Sequence, residues 1–497
     1  MKLKAFTKSP GAIAELAPIL KDATPICMAV GLAATIGLVD VHLAGALGPQ
    51  VQAGVGIGDQ FLFFAALLGT GIAQAAGSLI ARATGGGRAS EAETLARAGL
   101  LLAFAVGAAG ALATYIGADS LLSLFSQDRS VQNAGSTYLR LCALANAAYC
   151  LMLTQSAIMR GAGKSFSTVL PWMLAAAVSI ALSISLPQIM PEGKAHTLEY
   201  IALAWNLGAL AAVFAGHRQL KKLGFFVIRK RVKLAKQLDG ETARQAKAIL
   251  LLGMPIAATE AAWLGSNFLM YMILSQLPHA NETQAAWTIR LKLEEIAATP
   301  AMLAFNMTAA SLVGRRIGAG DIAGARSTAR TAALSAAAMM LVIGSLVFAN
   351  SQSLSADCAS TALSAHYAHD LLLASIIVYP LTAYYITIFG ALEGAGCTLK
   401  PMLAVIAGLF LLRTPLAAWL GLHLNAGMTG IVISMVVAHL AVALSAVSLF
   451  RSFFKAENNA ATGAAISHRR RSKTYGRKGN NLSLPLAVQL ETEKIPH

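Results

Sequence analysis

Asp40 and Glu260 are carboxylates set inside long apolar runs. An ionised carboxylate in hydrocarbon costs about 2.5 kcal/mol or more. It is tolerated when it faces a cavity, takes up a proton or pairs with a cation, so each acid is a candidate coupling site for H⁺ or Na⁺. Asp40 lies 17 residues past Ala23, and Glu260 about eleven residues into an apolar run that begins at 249. No Lys or Arg falls between Lys247 and Arg290, so Glu260 has no local partner and can also attract a cationic drug. The competing expectations are structural: a fixed salt bridge or interhelical hydrogen bond at Asp40, and pairing with Arg413 at Glu260.

A second group follows at Arg290, Lys292, Glu294 and Glu295. Arg290 and Glu294 stand at i,i+4, which favours pairing on one helix face. A cavity or gating role for Lys292, Glu294 and Arg413 is the sharper alternative. Gln74 and Asn206, with Asn267 and Asn306, are candidates to line a cavity, although polar residues in apolar helices also join one helix to another. Pro25 and Pro255 each remove an amide donor inside an apolar run, so a kink is expected at both. Met28, Phe61, Phe64, Trp263, Tyr271 and Trp287 are candidates to contact amphipathic ligands.

Enzyme chemistry finds little support. Gly163-Lys164-Ser165 imitates the end of a phosphate-binding loop, but the first glycine of that motif would fall at Ile158. Neither a HExxH helix nor a GxSxG elbow occurs, and no catalytic residue is assigned. His366, His369, Asp370 and Cys358 read as an ordinary loop, and no metal site is assigned. The five cysteines form no CxxC pair and read as small buried side chains.

The elements that hold these residues are set by composition. Of 497 residues 12% are charged and 56% hydrophobic, with a mean hydropathy of +0.62. A water-soluble surface cannot be assembled from that ratio. The expected fold is an all-α membrane protein with twelve spans, at 23–46, 55–81, 98–117, 136–159, 167–186, 200–217, 249–274, 283–313, 331–349, 371–395, 402–421 and 428–450. Of 39 Lys and Arg residues, 33 fall on the side of the N-terminus and two in the opposite loops, which places both termini in the cytoplasm. The same bias accounts for the net charge of +16 without nucleic acid as a partner.

The chain also repeats itself. At an offset of 233 residues, nine of 22 positions from 76 to 97 are identical, and Arg160-Gly161-Ala162-Gly163 meets Glu393-Gly394-Ala395-Gly396. Pro25 and Pro255 pair at 230. Two pseudo-symmetric six-helix lobes are therefore expected at 16–217 and 249–450, related by an axis along the membrane normal. A cytoplasmic leader, 1–15, a basic linker, 218–248, and a basic, disordered tail, 451–497, complete the organisation.

Four segments resemble the multidrug and toxic compound extrusion (MATE) family: Val39-Asp40-Val41-His42-Leu43-Ala44-Gly45, the stretch from Ala310 to Asp321, Arg160-Gly161-Ala162-Gly163, and Arg413-Thr414-Pro415-Leu416-Ala417. The chain departs from the family pattern at Glu260, one turn early after Pro255, at Tyr379-Pro380-Leu381-Thr382, which lacks an acid, and at Glu393, which replaces an arginine. The resemblance implies a monomeric inner-membrane antiporter. It would export amphipathic, cationic small molecules by alternating access, with H⁺ or Na⁺ as coupling ion and no cofactor. The alternatives are a lipid-linked oligosaccharide flippase and, further off, an intramembrane enzyme.

Overall fold

The computed structural model describes residues 12–45, 47–125, 128–190, 196–225, 240–359 and 361–474. Residues 1–11 of the expected leader, 226–239 of the linker and 475–497 of the tail lie outside them. The described chain is helical and contains no strand. Its N-half comprises α1 (Ala12–Gly45), α2 (Pro49–Gly85), α3 (Ala89–Phe125), α4 (Arg129–Ala143), α5 (Asn146–Gly161), α6 (Val169–Ile189) and α7 (Thr197–Lys222). Its C-half begins with α8 (Gly240–Leu274), α9 (Ala280–Ala297), α10 (Thr299–Gly318), α11 (Ile322–Ala349), the short α12 (Ser351–Cys358), α13 (Ala362–Leu373) and α14 (Ser375–Gly394). It ends with α15 (Leu399–Ile406), α16 (Thr414–Ala418) and α17 (Gly427–Thr474).

Among the described residues ten helical segments are long and apolar enough to cross a membrane singly, and two bent pairs, α4–α5 and α9–α10, make twelve when each is counted as one span. Twelve passes return the chain to the face where it starts, called here the terminal face. Helix α1 runs through Pro25, and α8 through Pro255, without interruption.

Three spans differ from the expected uninterrupted helices. The span expected at 283–313 bends by 52° between α9 and α10. Pro300, in the first turn of α10, cannot continue the preceding ladder, and Thr299 Oγ1 instead donates to the Glu294 carbonyl at 3.2 Å. The span expected at 136–159 bends by 50° between α4 and α5 without a proline. There the Asn206 amide donates to the Leu141 carbonyl at 2.9 Å, and the Ala145 amide turns to Cys142 at 3.0 Å. A side chain inserted into the backbone ladder is a recognised cause of such a bend. The span expected at 402–421 contains two π-helical stretches, Ala407–Arg413 and Trp419–His423.

The first helix of each half crosses to the other half. Helix α1 packs on α6 of its own half and on α10 and α11 of the C-half. Symmetrically, α8 packs on α15 of its own half and on α2 and α3 of the N-half. The helices that carry Pro25 and Pro255 thus both pack against the other half. Helix α17 continues through Thr474, so the first part of the expected disordered tail is helical. Likewise α7 and α8 extend into both ends of the expected linker.

Candidate functional site

Four helices of the N-half bring two acids together. Asp40 sits on α1, five residues before its end, and is only 4% exposed. Ser183 of α6 donates to Asp40 Oδ1 over 3.4 Å. On α2, Asp59 Oδ1 accepts from Tyr138 Oη of α4 at 2.8 Å. The two carboxylates lie within each other's electrostatic reach, and Tyr138 and Cys142 lie within reach of both. Among the described residues neither acid forms a salt bridge, so no arginine locks Asp40. Two carboxylates flanked by hydroxyls can share a proton or offer oxygen ligands to a hard cation. Asp59 escaped the sequence reading although it lies inside the expected second span; its place near the start of that run reads as an interfacial charge.

Glu260 on α8 does not meet Arg413. Its charge acts instead on Glu393 of α14, a second carboxylate that is 6% exposed. Arg413 instead donates to Ser266 Oγ at 2.6 Å and Asn267 Oδ1 at 3.1 Å, both on α8. The expected Arg290–Glu294 pair forms and is buried. Lys292 Nζ pairs with Glu295 at 2.8 Å and is 62% exposed, with Asp59 of the other half within its field. The charges of the two halves therefore reach each other at these residues. Asn206 is spent on the α4–α5 bend, and Gln74 donates to Asn306 Oδ1 at 3.5 Å across the halves. Gln74, Ser78, Arg160 and Ser311 line a cavity of about 10 Å³, room for a single water. Among the aromatic candidates Trp287 is fully buried, while Phe64 stacks on Phe268 at 6.0 Å between α2 and α8.

Toward the terminal face the halves close through a reciprocal contact. Arg82 and Arg315 are repeat partners at 233, as are Gly163 and Gly396. Both glycines adopt left-handed φ values, +75° and +93°. A Cβ on Gly396 would lie 2.5 Å from Arg82 Nη1, and one on Gly163 would lie 2.3 Å from Arg315 Nη1. Each half thus seats its arginine in the turn of the other, as a two-fold axis requires. The symmetry breaks at the ion pairs: Arg315 binds Asp22 of α1 at 2.9 Å and Arg316 binds Glu15 at 2.8 Å. Among the described residues Arg82 forms no salt bridge, although Glu91 lies within its field, and its Nε and Nη2 find no partner.

Comparison with known proteins agrees with this fold. The family profile described as MatE matches residues 25–189 and again 255–419, beginning each time on one of the repeat-related prolines. A relative described as a probable multidrug resistance protein NorM, from Thermotoga maritima, is 23% identical over 423 residues, covering 84% of this chain and 88% of its own. A mutant of the Vibrio cholerae MATE transporter VcmN superposes with a TM-score of 0.82 at 17% identity, covering 90% of this chain and 98% of its own. A MOP superfamily transporter from Pyrococcus furiosus gives 0.80 at 17%, with 91% and 99% covered.

Proposed function

From a chain that belongs to the MATE family of multi-pass membrane transporters, and is therefore no enzyme, we propose a cation-coupled antiporter of the inner membrane. It would export amphipathic cationic compounds by alternating access, with H⁺ or Na⁺ as the returning ion. The observation that carries this reading is the pair Asp40–Asp59, which among the described residues forms no salt bridge and accepts hydrogen bonds from Ser183 and Tyr138. Glu260 with Glu393 forms a second acidic pair that favours cations inside the C-half.

The cycle follows from the two ends of the molecule. With the termini in the cytoplasm, the arginine–glycine contact closes the inner end, and Asp59 and Lys292 face a space open to the outside. A cation entering from outside reaches Asp59 first and then Asp40, which lies on the helix shared by both halves. Filling the acids removes their repulsion and the cost of two buried charges, which permits α1 to shift. Because Asp22 on the same helix holds Arg315, such a shift pulls directly on the inner closure. Helix α1 thus links ion site to gate.

The test is Asp40→Asn, which keeps shape and hydrogen-bonding capacity while fixing a neutral site. Cells carrying it should lose drug resistance with unchanged amounts of protein in the membrane. Full resistance would remove Asp40 from the coupling.

A further inference from the structure

The repeat sets cationic residues of the C-half at positions where the N-half carries the coupling acid Asp59 and the serine beside Asp40. Asp59 in α2 corresponds at 233 to Lys292 in α9. In the fifth span of each half, Pro171 and Pro401 align at 230, and the same offset carries Ser183, the partner of Asp40, onto Arg413. Asp40 itself corresponds to Met270. Thus one acid of the N-half, Asp59, corresponds to a cation of the C-half, and the hydroxyl beside the other acid corresponds to a second cation.

The cations converge on one indole. The Arg290 guanidinium lies 4.8 Å from the Trp287 ring centre and that of Arg413 lies 5.9 Å from it. Glu294 neutralises Arg290. The hydrogen-bond partners of Arg413 are the neutral Ser266 and Asn267, and Glu294 is the one carboxylate whose charge reaches it. Two guanidiniums and one carboxylate leave a single positive charge without a counter-ion. Three donors on this cluster also find no acceptor: Arg413 Nε, Trp287 Nε1 and Tyr379 Oη. Tyr379 lies within the field of Arg290 and Glu294, and the three residues are 2%, 0% and 1% exposed. A buried polar group without a partner is costly, and an unpaired buried charge more so. Arg413 further ends a π-helical stretch, Ala407–Arg413, a distortion that tends to accompany function.

We propose that the C-half binds one small monovalent anion, chloride or a carboxylate group, between Arg413, Trp287 and Tyr379. The anion supplies the missing negative charge and accepts from donors that are otherwise idle. Glu260 does not fill this role, because its electrostatic partner is Glu393. The site is separate from the proposed coupling acids and stands whether or not those acids drive transport.

The experiment is thermal unfolding of the purified full chain in detergent, titrating chloride against methanesulfonate, which carries no carboxylate, at constant ionic strength. Wild type should show a saturable rise of a few degrees, as for any ligand that binds only the folded state. Arg413→Gln should abolish the rise, and Asp40→Asn should retain it. Should Arg413→Gln fail to fold, Tyr379→Phe and Trp287→Phe each remove one donor and should weaken the apparent affinity roughly five- to tenfold. A parallel titration with formate separates the two sources: a response to formate points to a carboxylate group, and a response to chloride alone points to the halide. Absence of a saturable response to either anion in wild type, or unchanged affinity in both donor variants, would overturn the proposal.

Discussion

At the scale of single residues, the two pairs of acids owe their significance to what does not neutralise them. A buried pair absorbs Arg290 with Glu294 and an exposed one Lys292 with Glu295, whereas among the described residues Asp40, Asp59, Glu260 and Glu393 form no salt bridge. The Tyr138 hydroxyl is the strongest single support of Asp59, at 2.8 Å. Tyr138→Phe should therefore weaken transport by roughly tenfold, the worth of a hydrogen bond to a charged group. Asp59→Asn should abolish coupling, because it removes the charge itself. Initial rates of ethidium efflux in everted vesicles distinguish the two, and equal, wild-type rates would exclude Asp59 from the site. Asp40 and Glu260 were legible in the sequence because a lone acid in an apolar run has few explanations. Ser183 and Tyr138 were not, since a hydroxyl in a helix carries no mark of the partner that tertiary packing will bring.

Among the elements, the twelve apolar runs were legible and the breaks within them were not. Pro300 could have announced the α9–α10 bend, since a proline prefers the first turn of a new helix. The α4–α5 bend depends on Asn206, sixty-five residues from the carbonyl it captures, and no local pattern encodes it. The four residues of the closure at the terminal face, Arg82, Gly163, Arg315 and Gly396, all lie on the repeat offset, but the offset alone did not announce that they meet. Gly396→Ala should force Arg82 from its turn and loosen that closure, while Gly87→Ala separates this effect from backbone strain. Gly87 also has a positive φ, +71°, but nothing lies within 4 Å of an added Cβ. Cysteine cross-linking between the ends of α2 and α10 should fall in Gly396→Ala and remain at the wild-type level in Gly87→Ala. Equal cross-linking in both would show that the arginine contact does not hold the halves shut.

For the whole molecule, composition and basic-residue bias set the class of fold, and the offset of 233 announced two halves. Neither showed that α1 and α8 exchange sides, because apolar helices offer every neighbour a similar surface and close packing decides between them. That exchange makes the central claim possible: the helix bearing Asp40 also bears Asp22, so ion occupancy and inner closure act on one rigid element. The most direct measurement is ethidium efflux from vesicles reconstituted with pure protein, under proton and sodium gradients imposed separately. Wild type should export with one of these gradients and stop when it is collapsed, and Asp40→Asn should stay inactive under both. Export that persists without either gradient, or that Asp40→Asn sustains at the wild-type rate, would contradict the account.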